Sequence, residues 1–166
     1  MQEKPKRNIK DLLKQIYFTD DYPEIKNHPI MFYKANKIYE NLAKKDLDLY
    51  YNRLKNYPSD TQKETHRHTA TAAVLGQKYP EEFVRQLGYL KEYSDLSNGQ
   101  SYKNSLFDLD NNENGIFIAK QYPKASNTEL YDIILKQMGG DTQRKLYFQN
   151  QPHIYKNIYG EIYSKQ

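Results

Sequence analysis

Cysteine is absent from all 166 residues, which removes thiol catalysis, thiolate zinc sites and disulfide scaffolding together. Tryptophan is absent as well, and phenylalanine supplies only 6 positions. No apolar run approaches the roughly 20 residues needed to cross a bilayer, so no transmembrane segment is expected. The charged N-terminus lacks the apolar stretch of a signal peptide, and none is expected in this chain. Three catalytic signatures are also missing: the G-x-S-x-G nucleophile elbow, the H-E-x-x-H zinc helix and the glycine loop that cradles phosphate.

What remains must build a core economically. Hydrophobic residues make up 37% of the chain, a figure that includes 17 tyrosines whose hydroxyls need water or a partner. Tyrosine rings are therefore expected half-buried between elements, with Leu, Ile, Val and Ala in the dry centre. The net charge of +4 arises from 25 basic and 21 acidic residues mixed along the chain, a balance that suits solubility. Lys4-Pro5-Lys6-Arg7 is too short to serve as a nucleic-acid arm. Tyrosine is spread evenly instead of clustering with arginine, and nucleic acid is not expected as a partner.

Periodicity predicts helices almost throughout. Ile9, Leu12, Leu13, Ile16 and Tyr17 share one helical face. A longer helix begins near Pro29, carries Met31, Phe32, Ala35, Ile38 and Leu42, and continues or restarts from Asp46 until Pro58 stops it. Ser59 or Asp60 caps the next, which runs to about Gly76. Pro80-Glu81-Glu82 opens another, with proline in the first turn and acids where the helix dipole favours them. Ser97-Asn98-Gly99 reads as a turn. Ser126-x-x-Glu129 reads as a capping box, and Gly139-Gly140 closes the helix that follows. Beyond Asp141 only Leu146–Phe148 and Ile154–Tyr163 suggest further helical turns. With no repeat and no composition break, the expected architecture is all-α: residues 1–166 as a single compact bundle of about six or seven helices.

Three polar stretches depart from an ordinary helical surface. The first, Thr65-His66-Arg67-His68-Thr69-Ala70-Thr71-Ala72-Ala73, leads into a face of small residues that lets neighbouring backbones approach, which predicts a central helix. His68 shares a stripe with Ala72 and Leu75 and should point inward, where a histidine is commonly a satisfied core group. The second, Lys91-Glu92, reads in isolation as a solvated charge pair. The third is Asp108-Leu109-Asp110-Asn111-Asn112-Glu113-Asn114-Gly115, of a composition that normally marks turns and caps. It also matches the first half of a calcium loop through Asp110, Asn112, Asn114 and Gly115, but its twelfth position is Gln121 instead of a carboxylate, so Ca²⁺ would bind feebly. Alternatively, Asp108 and the asparagines face His68 across the bundle.

The order of these motifs resembles a family of small helical bacterial domains of uncharacterised activity, found alone and as C-terminal modules of polymorphic toxins and secreted effectors. Its pattern is close to F-R-H-A-x-W-N-A, then A-H-E, then M-D-L-x-N-N-x-x-G. Here the stretches are His66 to Ala73, Leu90-Lys91-Glu92 and Phe107 to Gly115, so the likeness covers roughly residues 64–119. Lys91 stands where the family usually carries histidine, and no tryptophan follows the first motif. If that histidine is a ligand or a base, the site here is inactive or uses Lys91 differently.

The resemblance implies a polar site of His68, Glu92 and Asp108 as catalytic groups, with Arg67, Asn111 and Asn112 binding substrate. His68 suits a general base or a metal ligand. Asp108 would fix its tautomer or share the metal, Glu92 is a second carboxylate, and Arg67 can neutralise a phosphate or carboxylate. A divalent cation such as Mg²⁺, Mn²⁺ or Ca²⁺ fits one imidazole and two carboxylates better than structural zinc. The expected activity is that of a hydrolase-like effector acting on a phosphoester, lipid or cell-envelope substrate. A secreted or periplasmic setting is favoured over a cytoplasmic one, with a cognate immunity or secretion protein as partner. The alternative is a non-enzymatic interaction module in which the polar cluster is a structural hydrogen-bond network.

Overall fold

The computed structural model describes Ile16 and residues 22–54, 59–97 and 99–138. Among these residues the fold is all-α, as the periodicity predicts. Of the first expected helix only Ile16 is described, helical and 2% exposed. The Pro58 stop, Gly139-Gly140 and everything beyond Asp141 lie outside the described residues. No described helix is long and apolar enough to cross a membrane.

A short helix α1 (Pro23–Asn27) precedes α2 (Pro29–Asn41). Both place proline in the first turn, where its missing N–H costs nothing. The N-terminus of α1 is capped from elsewhere in the chain. The buried Gln86 side-chain oxygen accepts from the amides of Glu24 at 2.9 Å and Ile25 at 3.3 Å. One π-helical turn, Leu42–Asp46, links α2 to α3 (Leu47–Asn52). There the Leu47 amide donates back five residues to the Leu42 carbonyl, one step further than in an α-helix. The extra residue leaves Asp46 exposed and turns Leu47, Tyr50 and Tyr51 inward.

Helix α4 (Asp60–Gly76) starts on a complete capping box: Ser59 accepts from the Gln62 amide, and Gln62 accepts from the Ser59 amide. It is followed by α5 (Glu81–Ser97), α6 (Tyr102–Gln121) and α7 (Asn127–Met138). Ser126 and Glu129 form the expected box at the start of α7.

The small-residue face of α4 makes it the central helix. Two apolar clusters meet on it. Ala70, Ala73 and Val74 pack with Leu47, Tyr51, Ile118, Leu130 and Ile134, while Leu75 joins Ile25, Phe32, Phe83, Val84 and Ile116. Helices α4 and α6 cross in close contact. A Cβ at Gly115 would collide with the Thr69 carbonyl oxygen and lie 2.7 Å from Ala72 Cβ and 2.9 Å from the Ala73 nitrogen. Tyrosine is buried more deeply than expected: Tyr51 is 1% and Tyr131 3% exposed, inside the first cluster.

Candidate functional site

The residues between Asp110 and Asn114 form no turn. They lie inside the continuous helix α6, and Asp110, Asn111 and Asn114 are buried. This corrects both the turn and the calcium-loop expectations. A calcium loop needs its alternate positions to converge on one ion. On an α-helix residues two apart point about 200° away from each other, so Asp110, Asn112 and Asn114 cannot enclose a cation as that loop does.

The same helix brings Asp108 to α4. Its Oδ1 lies 3.6 Å from His68 Nε2, with both side chains largely withdrawn from solvent (2% and 11% exposed). Glu64, one turn before His68 on α4, completes a triad. One ligand atom each from Glu64, His68 and Asp108 lies within 4.8 Å of the others. Sequence reading missed Glu64. The signal available was its place four residues before His68, which puts the two side chains on one face.

Glu92 approaches from α5, but as a neighbour of the triad instead of a member. Gln100 donates its amide to Asp108 Oδ2 at 3.1 Å, with Glu92 Oε2 and Ser105 Oγ each at 3.3 Å. Glu92 Oε1 accepts from Lys91 Nζ at 2.9 Å, and Lys91 also pairs with Asp95 at 2.8 Å. The Lys91–Glu92 pair is therefore buried, with side chains 15% and 2% exposed, and is no solvated surface pair. Burial pushes the Glu92 carboxyl above its ordinary range despite the attraction of Lys91. For Lys91, burial works against the charge, but Glu92, Tyr39 and Asp95 outweigh it and hold the ammonium well above its usual range. Lys91 thus occupies its position as the counter-ion of Glu92.

A cleft between α2, α4 and α5 opens beside this cluster, with a volume of about 80 Å³. Phe32, Ala35, Leu75 and Val84 give it an apolar wall, and Arg67, His68, Thr71, Lys91 and Asn112 supply polar groups. Arg67 reaches out of α4 to Asp48, its Nη2 2.8 Å from the carboxylate, while its buried Nε has no hydrogen-bond partner. The hydroxyl of Thr71, a residue 6% exposed, likewise has none. Asn112 stands beside Gly88 of α5 at the cleft. Asn111 is wholly buried and does not line it. Of the expected site residues, then, His68, Arg67 and Asn112 face the cleft, Asp108 and Glu92 support it from behind, and Asn111 belongs to the packing.

The satisfied core histidine is His66, two positions before His68 and turned to the opposite side of α4. It is wholly buried. Its Nε2 lies 2.9 Å from the Tyr131 carbonyl and its Nδ1 2.9 Å from the Tyr51 hydroxyl. Its ring stacks on Tyr50 at 5.7 Å between centroids. Comparison with family models, curated proteins and solved structures gives no match for this chain.

Proposed function

We propose that the cleft is a hydrolytic site in which water is activated beside His68 and attacks an anionic or ester-bearing substrate. The observation that carries this reading is the approach of Asp108 to His68 at the edge of a cleft that His68 itself lines. A carboxylate behind an imidazole fixes the orientation of its ring. Arg67 lines the same space, and a guanidinium suits phosphate or carboxylate oxygens. The likeness to toxin and effector modules makes a phosphoester, lipid or cell-envelope ester the substrate class to test.

A second reading is supported by the Lys91–Glu92–Gln100–Asp108 chain, whose members bond one another across α5 and α6. A buried polar network of this kind specifies how helices register and serves an interaction module as well as an enzyme.

The test is growth of a bacterial host expressing the chain in the cytoplasm or, separately, in the periplasm, beside His68→Ala and Asp108→Ala proteins checked for folding. Purified proteins are assayed in parallel on chromogenic phosphodiesters and carboxylic esters. Toxicity or hydrolysis that is lost in folded variants is the expected result. Absence of both in the unmodified chain, with the variants altered only in melting temperature, would replace the enzyme with the structural network.

A further inference from the structure

The triad of Glu64, His68 and Asp108 has the composition and placement of a metal centre, and one that differs from the His68, Glu92 and Asp108 set expected from the motifs. We propose that these three side chains hold a single divalent cation whose remaining coordination positions face the cleft. This rests on the reading of the cleft as a site of water activation and assigns the group beside which the water would be held.

Geometry carries the first part of the argument. Ligand atoms bound at about 2.0–2.2 Å around one cation lie roughly 3.0–3.5 Å from each other. His68 Nε2 and Asp108 Oδ1 already stand 3.6 Å apart, and all three ligand atoms fall within 4.8 Å. Glu64 and His68 share a face one turn apart on α4, and Asp108 enters from α6, which crosses α4 in close contact. Small side-chain rotations close the remaining distance.

The surroundings carry the second part. Gln100 holds Asp108 Oδ2 and leaves Oδ1 facing His68. Carboxylates that bind metals are oriented in this way by a donor on the other oxygen. Two carboxylates and an imidazole form a donor set that a divalent cation accepts. Three protein ligands also leave positions open, as in catalytic rather than structural sites.

The third part is independent of the triad. Thr71 lies one turn beyond His68 on α4, lines the cleft, and is 6% exposed with a hydroxyl that has no hydrogen-bond partner. A buried hydroxyl without a partner is costly. Its oxygen is closed off from solvent, so this unmet bonding capacity lies inside the fold along the helix face that carries His68. Among the dications that suit one imidazole and two carboxylates, Mn²⁺ accommodates both donor types and serves as the probe.

The full chain, stripped with a chelator, is titrated with Mn²⁺ while free ion is followed by electron paramagnetic resonance, and its melting temperature is recorded. Zn²⁺ serves as competitor. The expected result is one Mn²⁺ per chain, a raised melting temperature, and displacement by Zn²⁺. Binding should weaken by about tenfold or more in Glu64→Gln and Asp108→Asn and stay unchanged in Arg85→Lys, remote from the cluster. Glu64 is only half-buried, so its variant remains informative if Asp108→Asn unfolds. No saturable binding, or binding that survives Glu64→Gln, would overturn the proposal. Hydrolysis that persists in chelator would also overturn it while leaving the enzyme reading intact. Binding without any hydrolysis would uphold the metal centre and remove the enzyme.

Discussion

Tyr51 donates its phenolic hydrogen to Nδ1 of His66 across 2.9 Å, and the Tyr131 carbonyl decides the direction. A carbonyl can only accept, so the neutral ring carries its proton on Nε2, which lies 2.9 Å from that oxygen, and Nδ1 is left as the acceptor. One imidazole thereby ties α3, α4 and α7 together.

Burial pushes the His66 pKa down from 6.5 to about 4, although the bond to the Tyr131 carbonyl works in the other direction. A folded-state value below the unfolded one means the stabilisation is complete above pH 6.5. It is lost as pH falls through about 4. The contribution at stake is on the order of 3 kcal/mol. Urea unfolding at pH 7 and pH 4 should show the unmodified chain losing more stability than His66→Gln over that interval. Equal losses in the two proteins would refute the assignment.

Gly115→Ala should destabilise the protein by about 1–3 kcal/mol or more, because the new methyl group meets two backbone atoms of α4 and helices α4 and α6 must separate. Gly88→Ala makes a control. Its methyl group would meet only the Asn112 side-chain amide, at 2.9 Å, which can swing aside, and a gain of about 1 kcal/mol in helix propensity works in its favour. Thermal unfolding of the two variants compares them directly. A Gly115→Ala protein as stable as Gly88→Ala would show that the crossing is looser than described.

Lys91→Met should cost about 3–5 kcal/mol at neutral pH, since it leaves the Glu92 carboxylate, 2% exposed, without its counter-ion. Adding Glu92→Gln should recover most of that loss. The four proteins of this double-mutant cycle, unfolded in urea, give the coupling energy. Additive losses would mean that the pair is solvated after all.

Much of the helix layout was legible because helix ends are local chemistry. Ser59 with Gln62 and Ser126 with Glu129 satisfy their own backbone amides within four residues, so their role can be read from spacing alone. The central position of α4 was legible for a related reason: its run of Ala and Thr permits close approach whatever the neighbour. The region around Asp110 misled because Asp and Asn prefer turns only when nothing else engages them. In α6 they are buried among other helices, and tertiary packing overrides their local preference.

The candidate site divides in the same way. His68 and Asp108 could be paired from the motif order, and the structure brings them together. Glu92 could not be separated from a ligand role, because its partners Lys91 and Gln100 act through side-chain directions across a turn. Thr71 looks like an ordinary helix residue until it is seen to line the cleft beside His68, and Glu64 until it is seen beside His68 and Asp108.

The π-helical turn at Leu42–Asp46 sets what kind of change this segment tolerates. Without its extra residue, Asp46 would take the buried place of Leu47, and Tyr50 and Tyr51 would swing by about 100° away from His66. The exposed Lys44 and Lys45 can be exchanged without touching the core, whereas deleting one residue between Leu42 and Leu47 would rotate everything after it. Along that stretch the fold depends on a count and not on the letters.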